Sequence, residues 1–119
     1  MNSRFVQAFI MGVLLSSCGN ADTEVLRVDS PDRSLTAIVV HGETGATVST
    51  PTKVQLAKAG EKSGDVILVA DNVEDLKIRW LSSNQLEVGY RKARIFQFTN
   101  FWQRSLGPLV DIQLKPGSN

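Results

Sequence analysis

Few side chains in this sequence could do chemistry, and their spacing limits which chemistry that is. There is one cysteine, Cys18, and one histidine, His41. A catalytic imidazole needs a nucleophile or an orienting carboxylate, and a zinc site needs further nitrogen or sulfur ligands. Glu43 is close to His41, but there is no second histidine to join them, so His41 reads as a strand-end residue of no special role. Asp71, Glu74 and Asp75 form a small acidic group, a type that serves acid–base chemistry or binds calcium. Their spacing matches no calcium loop, and they read as a solvated loop. Gly60-Glu61-Lys62-Ser63 fails as a phosphate loop, because Glu61 interrupts Gly-Lys-Ser and the upstream glycine is missing. Gly42 and Gly45 serve turns, and no serine lies in a nucleophile elbow. The expectation is a protein with no catalytic residue, no metal and no cofactor.

The strongest candidate outside the core is Tyr90-Arg91-Lys92-Ala93-Arg94, followed by Phe96, Phe98, Phe101, Trp102 and Arg104. Basic residues interleaved with aromatics can bind nucleic acid, glycan or protein, and arginine stacks well on aromatic rings. The candidate interaction surface is therefore Arg91, Lys92, Arg94, Phe101, Trp102 and Arg104. Against it, Phe96 and Phe98 share a parity that points to the core, and Arg91-Lys92 falls where a hairpin turn should be wet. Phe101-Trp102 follows Asn100 and either caps the core or lies exposed.

Cys18 ends an apolar opening stretch. Residues 5–15 read FVQAFIMGVLL, with Arg4 just before them. A positive start, a short apolar core and then small residues is the signal-peptide pattern. The run is too short for a transmembrane helix, which needs about 20 apolar residues. Leu15-Ser16-Ser17-Cys18 resembles the lipobox of bacterial lipoproteins: a branched apolar residue, two small residues and the cysteine. That resemblance implies a diacylglyceryl group on the Cys18 sulfur, cleavage before Cys18 and acylation of its amine. Two or more acyl chains give stable anchoring where one gives only reversible binding. An ordinary cleavage site would instead leave a lone thiol in an oxidising compartment, a poor arrangement that a thioether removes. The residues after the cysteine are Gly19 and Asn20, not Asp. In a Gram-negative cell, the resemblance then implies the periplasmic side of the outer membrane.

Cleavage leaves Cys18–Asn119, about 100 residues, which suits one small domain. The whole chain carries 13 basic and 12 acidic side chains. The leader removes Arg4 and no acid, so the mature charges balance. Nothing here draws the chain in bulk to nucleic acid or anionic lipid. With one cysteine, no internal disulfide can form. Residues 18–24 read as a lipidated tether, and residues 25–119 as a single β domain.

The body alternates as strands do. Ser30-Pro31-Asp32-Arg33-Ser34 is a turn. Leu35–Val40 is a β-branched run, and Val48, Val54 and Leu56 share one parity across Thr47–Leu56, with Pro51 arguing for an edge or a bulge. Ala59–Gly64 is a loop. Asp65–Ala70 is strand-like and ends at Asp71-Asn72, and Val73–Leu76 could form one helical turn. Leu76, Ile78 and Trp80, then Leu86, Val88 and Tyr90, alternate with polar residues and predict a hairpin turning at Ser82-Ser83-Asn84. Arg91-Lys92 turns again, Arg94–Phe98 returns, and Leu109–Leu114 adds a last strand. The fold class is all-β: a small antiparallel sandwich or barrel of about 6–7 strands.

Two resemblances extend beyond the leader. Ser30-Pro31-Asp32-Arg33-Ser34-Leu35 resembles the turn that opens strands in β-propeller blades, with Arg33 where glycine is usual. Together with Gly45–Thr50, the Trp80 hairpin and Phe98–Trp102, it makes the mature chain loosely similar to a group of small β-rich bacterial lipoproteins. That likeness implies a β domain and no mechanism. Three functions stay open: an anchored module binding an envelope protein or cell-wall component, an inhibitor or immunity protein that blocks a periplasmic hydrolase, and a small hydrolase. Nucleic acid does not fit the compartment.

Overall fold

The computed structural model describes residues 23–42 and 51–117. Among them are nine strands and no helix: β1 (Thr23–Asp29), β2 (Leu35–His41), β3 (Thr52–Lys58), β4 (Asp65–Glu74), β5 (Lys77–Ser82), β6 (Gln85–Tyr90), β7 (Lys92–Phe98), β8 (Phe101–Trp102) and β9 (Val110–Pro116). They make a five-stranded sheet in the order β1-β2-β3-β4-β7 and a four-stranded sheet in the order β5-β6-β9-β8. The two pack as a sandwich, and the expected all-β class holds. No helix among the described residues is long and apolar enough to cross a membrane. Cys18, with Leu15, Ser16 and Ser17, lies outside the described residues.

One apolar layer joins the sheets. Leu35, Ala37 and Val39 of β2, Val54 and Leu56 of β3, and Ile67 and Leu68 of β4 face Leu86, Val88, Val110 and Ile112 from the other sheet. The β5–β6 hairpin forms as its alternation requires, with Lys77 opposite Gly89 and Trp80 opposite Leu86. Both tryptophans close the sandwich at its margins. Trp80 Nε1 donates to the Val28 carbonyl on the outer edge of β1, at 2.9 Å. Trp102, 6% exposed, donates from Nε1 to Asp65 Oδ2 at 2.8 Å.

Several expectations need correcting. β1 begins at Thr23, so Thr23 and Glu24 belong to a strand and not to the tether, and they pair with His41 and Val40. β1 is mostly exposed, which leaves it without the alternation that marks a half-buried strand. Pro51 precedes β3, and its carbonyl accepts from Gly42 N at 3.0 Å. β3 is interior, paired on both sides, so it is no edge strand, while its pairing with β4 carries a register shift between Val54 and Gln55. β4 runs past Asp71-Asn72 to Glu74, with Asn72 at φ 53° where the register shifts. Val73 and Glu74 are strand, so the helical turn over Val73–Leu76 does not form. The return after Arg91-Lys92 is not a hairpin either. β7 leaves the sheet of β6 and pairs with β4 in the other one. The chain then comes back as β9 beside β6, and a strand that returns by a crossover arrives parallel. All the other pairs are antiparallel.

Residues at two turns pay for backbone geometry. Gly64 lies against β3, where an added methyl would collide with the Leu56 carbonyl and come within 2.7 Å of the Ala57 Cβ. Arg33 has φ 62°, the left-handed conformation that glycine adopts without cost. Asp32 holds that turn by accepting from Ser34 N at 3.0 Å and from the Ser34 and Ser30 hydroxyls at 2.8 Å.

Arg33→Gly should raise the unfolding free energy by about 1 kcal/mol, since a non-glycine residue pays roughly that in left-handed backbone. Trp80→Phe keeps an aromatic side chain but removes the 2.9 Å bond to the Val28 carbonyl, which then keeps only the longer 3.4 Å bond from Thr36 Oγ1, and should lower stability by about 1 kcal/mol. Urea titration of both variants checks each sign.

Candidate interaction surface and its paired charges

The six residues of the candidate surface do not form one patch. Asp71 and Asp65, which pair with Arg94 and Arg104, stand at opposite ends of the same strand. Six residue steps along the strand separate them by roughly 20 Å. Arg91, Lys92 and Arg94 therefore belong to one pole of the sandwich. Phe101, Trp102 and Arg104 belong to the other.

At the first pole the arginines are clamps. Arg94 grips Asp71 with two bonds, Nε to Oδ1 at 3.0 Å and a terminal nitrogen to Oδ2 at 2.6 Å. The Asp71 carboxylate is almost buried, and that guanidinium lowers its pKa. Arg94 also lies 5.2 Å over the Phe96 ring. Arg91 donates from Nε to Asp75 Oδ2 at 3.0 Å and pairs with Glu74, so the acidic group is a set of ion-pair partners, with Asp71 and Glu74 in β4 and only Asp75 in the solvated bend after it. Lys92 is exposed, with no ion pair among the described residues.

Phe96 does not face the core as its parity with Phe98 suggested. Val69 pairs with Gln97 and Ala70 with Ile95, so Phe96 is the extra residue of a bulge. The bulge shifts the parity. Ile95 and Phe98 pack on the core, while Phe96 is 59% exposed.

At the second pole Arg104 donates to both Glu61 carboxylate oxygens at 2.8 Å and lies 5.5 Å over the Trp102 ring. Arg104, and then the Lys58 backbone N–H, lower the Glu61 pKa. Trp102 is core. Phe101, Leu106 and Leu109 are exposed beside it. His41 is exposed at the end of β2, with Nδ1 3.5 Å from Thr52 Oγ1. Among the described residues no group of His, Cys, Asp and Glu could hold a metal ion.

Sequence reasoning missed a groove of about 420 Å³ on the outer face of the smaller sheet. Lys77, Arg79, Arg91 and Lys115 line it together with Asp75 and Glu87, and Gly89 lies in its floor. Glu87 is held by Arg79 at 3.1 Å and by Lys115 at 3.9 Å. Lys77 has no ion pair among the described residues. The polar side of the hairpin alternation was the available signal. The parallel pairing that adds Lys115 was not readable.

No protein-family model matches the chain, and neither does any curated protein or any solved structure.

The paired carboxyls imply a dependence on acid. Those of Asp71 and Glu61 are lowered, and that of Asp32 falls to about 2, chiefly through the Ser34 backbone N–H. Folded values below unfolded ones stabilise the fold at neutral pH, and that contribution is lost as pH falls. The thermal midpoint should hold down to about pH 5 and drop between about pH 4 and pH 2. Asp71→Asn should lower the midpoint at neutral pH and flatten the acid slope. A variant with an unchanged slope would remove Asp71 from the account.

Proposed function

We propose that this protein is a lipid-anchored component of the bacterial cell envelope whose β-sandwich is a non-enzymatic binding module. Leu15-Ser16-Ser17-Cys18, closing a short apolar run behind Arg4, carries the reading. The position of β1 fits it. The strand starts five residues after Cys18, a length of chain that spans at most about 18 Å. A lipid on Cys18 would keep the sandwich against the membrane surface. Thr23 pairs with His41, His41 with Thr52 and Thr52 with Ala70, so the tethered end is the pole of Arg91 and Arg94. The far pole then faces away from the bilayer, and Phe101, Leu106 and Leu109 are exposed there. Large exposed apolar side chains mark protein-contact surfaces. The partner is an envelope protein or a cell-wall component.

Intact mass of the membrane-extracted protein tests the anchor. The expected species lacks residues 1–17 and carries added lipid mass, while Cys18→Ser yields neither change. A wild-type chain with its leader intact or its sulfur free would overturn the assignment. Replacing Phe101 and Leu109 with serine should abolish partner retention and leave membrane attachment and the thermal midpoint unchanged.

A further inference from the structure

Gly89 has no role in the fold that its conformation explains. It sits inside β6, where glycine weakens a strand. Its φ is not positive, and the register on both sides of it is regular. No backbone crowds it: an added Cβ would come no closer than 3.7 Å to the Lys115 carbonyl and 3.9 Å to the Lys77 Cβ, which are ordinary contacts. Bulge, bend and close chain approach are thereby excluded as reasons for glycine. What remains among the uses of a strand glycine is room for a ligand.

The neighbours define that ligand. Lys77, Gly89 and Lys115 stand in one row across β5, β6 and β9. Each lysine is one strand spacing from the glycine, about 5 Å to either side. The missing side chain leaves a gap flanked by two lysine side chains, with Arg79 and Arg91 on the groove wall. Of the acids there, Glu87 is taken by Arg79 and Lys115, and Asp75 by Arg91. Lys77 keeps an uncompensated charge. Since the chain as a whole is near neutral, the attraction is local to this row.

We propose that the row Lys77-Gly89-Lys115 is a cradle for the phosphate of a membrane-lipid headgroup. Charge complementarity selects an anion, and a phosphate is the anion a bilayer surface presents. The choice of a lipid source rests on the anchor reading above, because the cradle lies at the tethered pole: β5 opens at Lys77, immediately after the Glu74–Leu76 turn that leaves that end of β4. The lipid on Cys18 brings the sandwich to the bilayer, and the cradle fixes which way it faces.

The test titrates the full chain, purified in nonionic detergent, with dihexanoyl phosphatidylglycerol, dihexanoyl phosphatidylcholine and inorganic phosphate, followed by phosphorus NMR line broadening. Phosphatidylglycerol should bind, and added salt should weaken it. Phosphatidylcholine, whose phosphate is already compensated, should bind at least tenfold more weakly. Lys77→Gln should cost about tenfold, the worth of one charge-assisted contact. Gly89→Val should block binding while the thermal midpoint holds or rises, because valine suits a strand and its Cβ meets only ordinary van der Waals contacts. Absence of binding by the wild type, or full binding by Gly89→Val, overturns the cradle. Inorganic phosphate binding as tightly as the lipid overturns the lipid assignment. Intact mass of the same preparation separates the two readings: an unlipidated Cys18 with headgroup binding intact sinks only the anchor, and a lipidated chain that ignores phosphatidylglycerol sinks only the cradle.

Discussion

The fold depends on the apolar layer shared by its two sheets, which no disulfide within the chain reinforces. With one cysteine in the chain, nothing but burial keeps Val54, Leu56 and Leu68 against Leu86, Val88 and Val110. Such a layer is strong in its middle and weak at its margins, where water reaches the apolar edges. The two indoles stand at those margins. Each ring adds apolar area to the layer and spends its one N–H on the opposite sheet. A phenylalanine could supply the area but not the bond.

Charge is organised around the same need. Three of the arginines that looked like a binding surface are spent on carboxylates: Arg91 on Glu74 and Asp75, Arg94 on Asp71, and Arg104 on Glu61 and Asp65. The guanidinium fork suits such bidentate pairing. These pairs tie the ends of β4 to the segments that arrive late in the chain. The lysines are different. Lys77 and Lys92 hold no ion pair among the described residues, and both stand at the pole where β1 begins. Arg33, Lys58 and Lys62 at the other pole also hold no ion pair among the described residues, and exposed apolar side chains stand at both ends, Val25 and Leu26 in β1 and Phe101, Leu106 and Leu109 at the far pole.

How much of this was legible varies element by element. The β5–β6 hairpin was readable because half-burial imposes a period of two on Leu76–Trp80 and Leu86–Tyr90, and the turn residues mark its tip. The turn at Ser30–Ser34 was readable because Pro31 and Asp32 act locally. β1 was not, because an exposed edge strand buries no face. The burial of Phe96 was misjudged because a bulge depends on the partner strand, β4, and reverses parity without any mark in β7 itself. The candidate surface was misjudged for a related reason: residues 91–104 are close in sequence, but β7 carries the chain from one pole to the other. By itself, the sequence determined the all-β class and the hairpin, since each rests on neighbouring residues. Tertiary structure alone decided that β9 lies parallel to β6, that the arginines are clamps, and that Lys77, Gly89 and Lys115 share a row. Those facts join residues dozens of positions apart, and only the burial of the common layer brings them together.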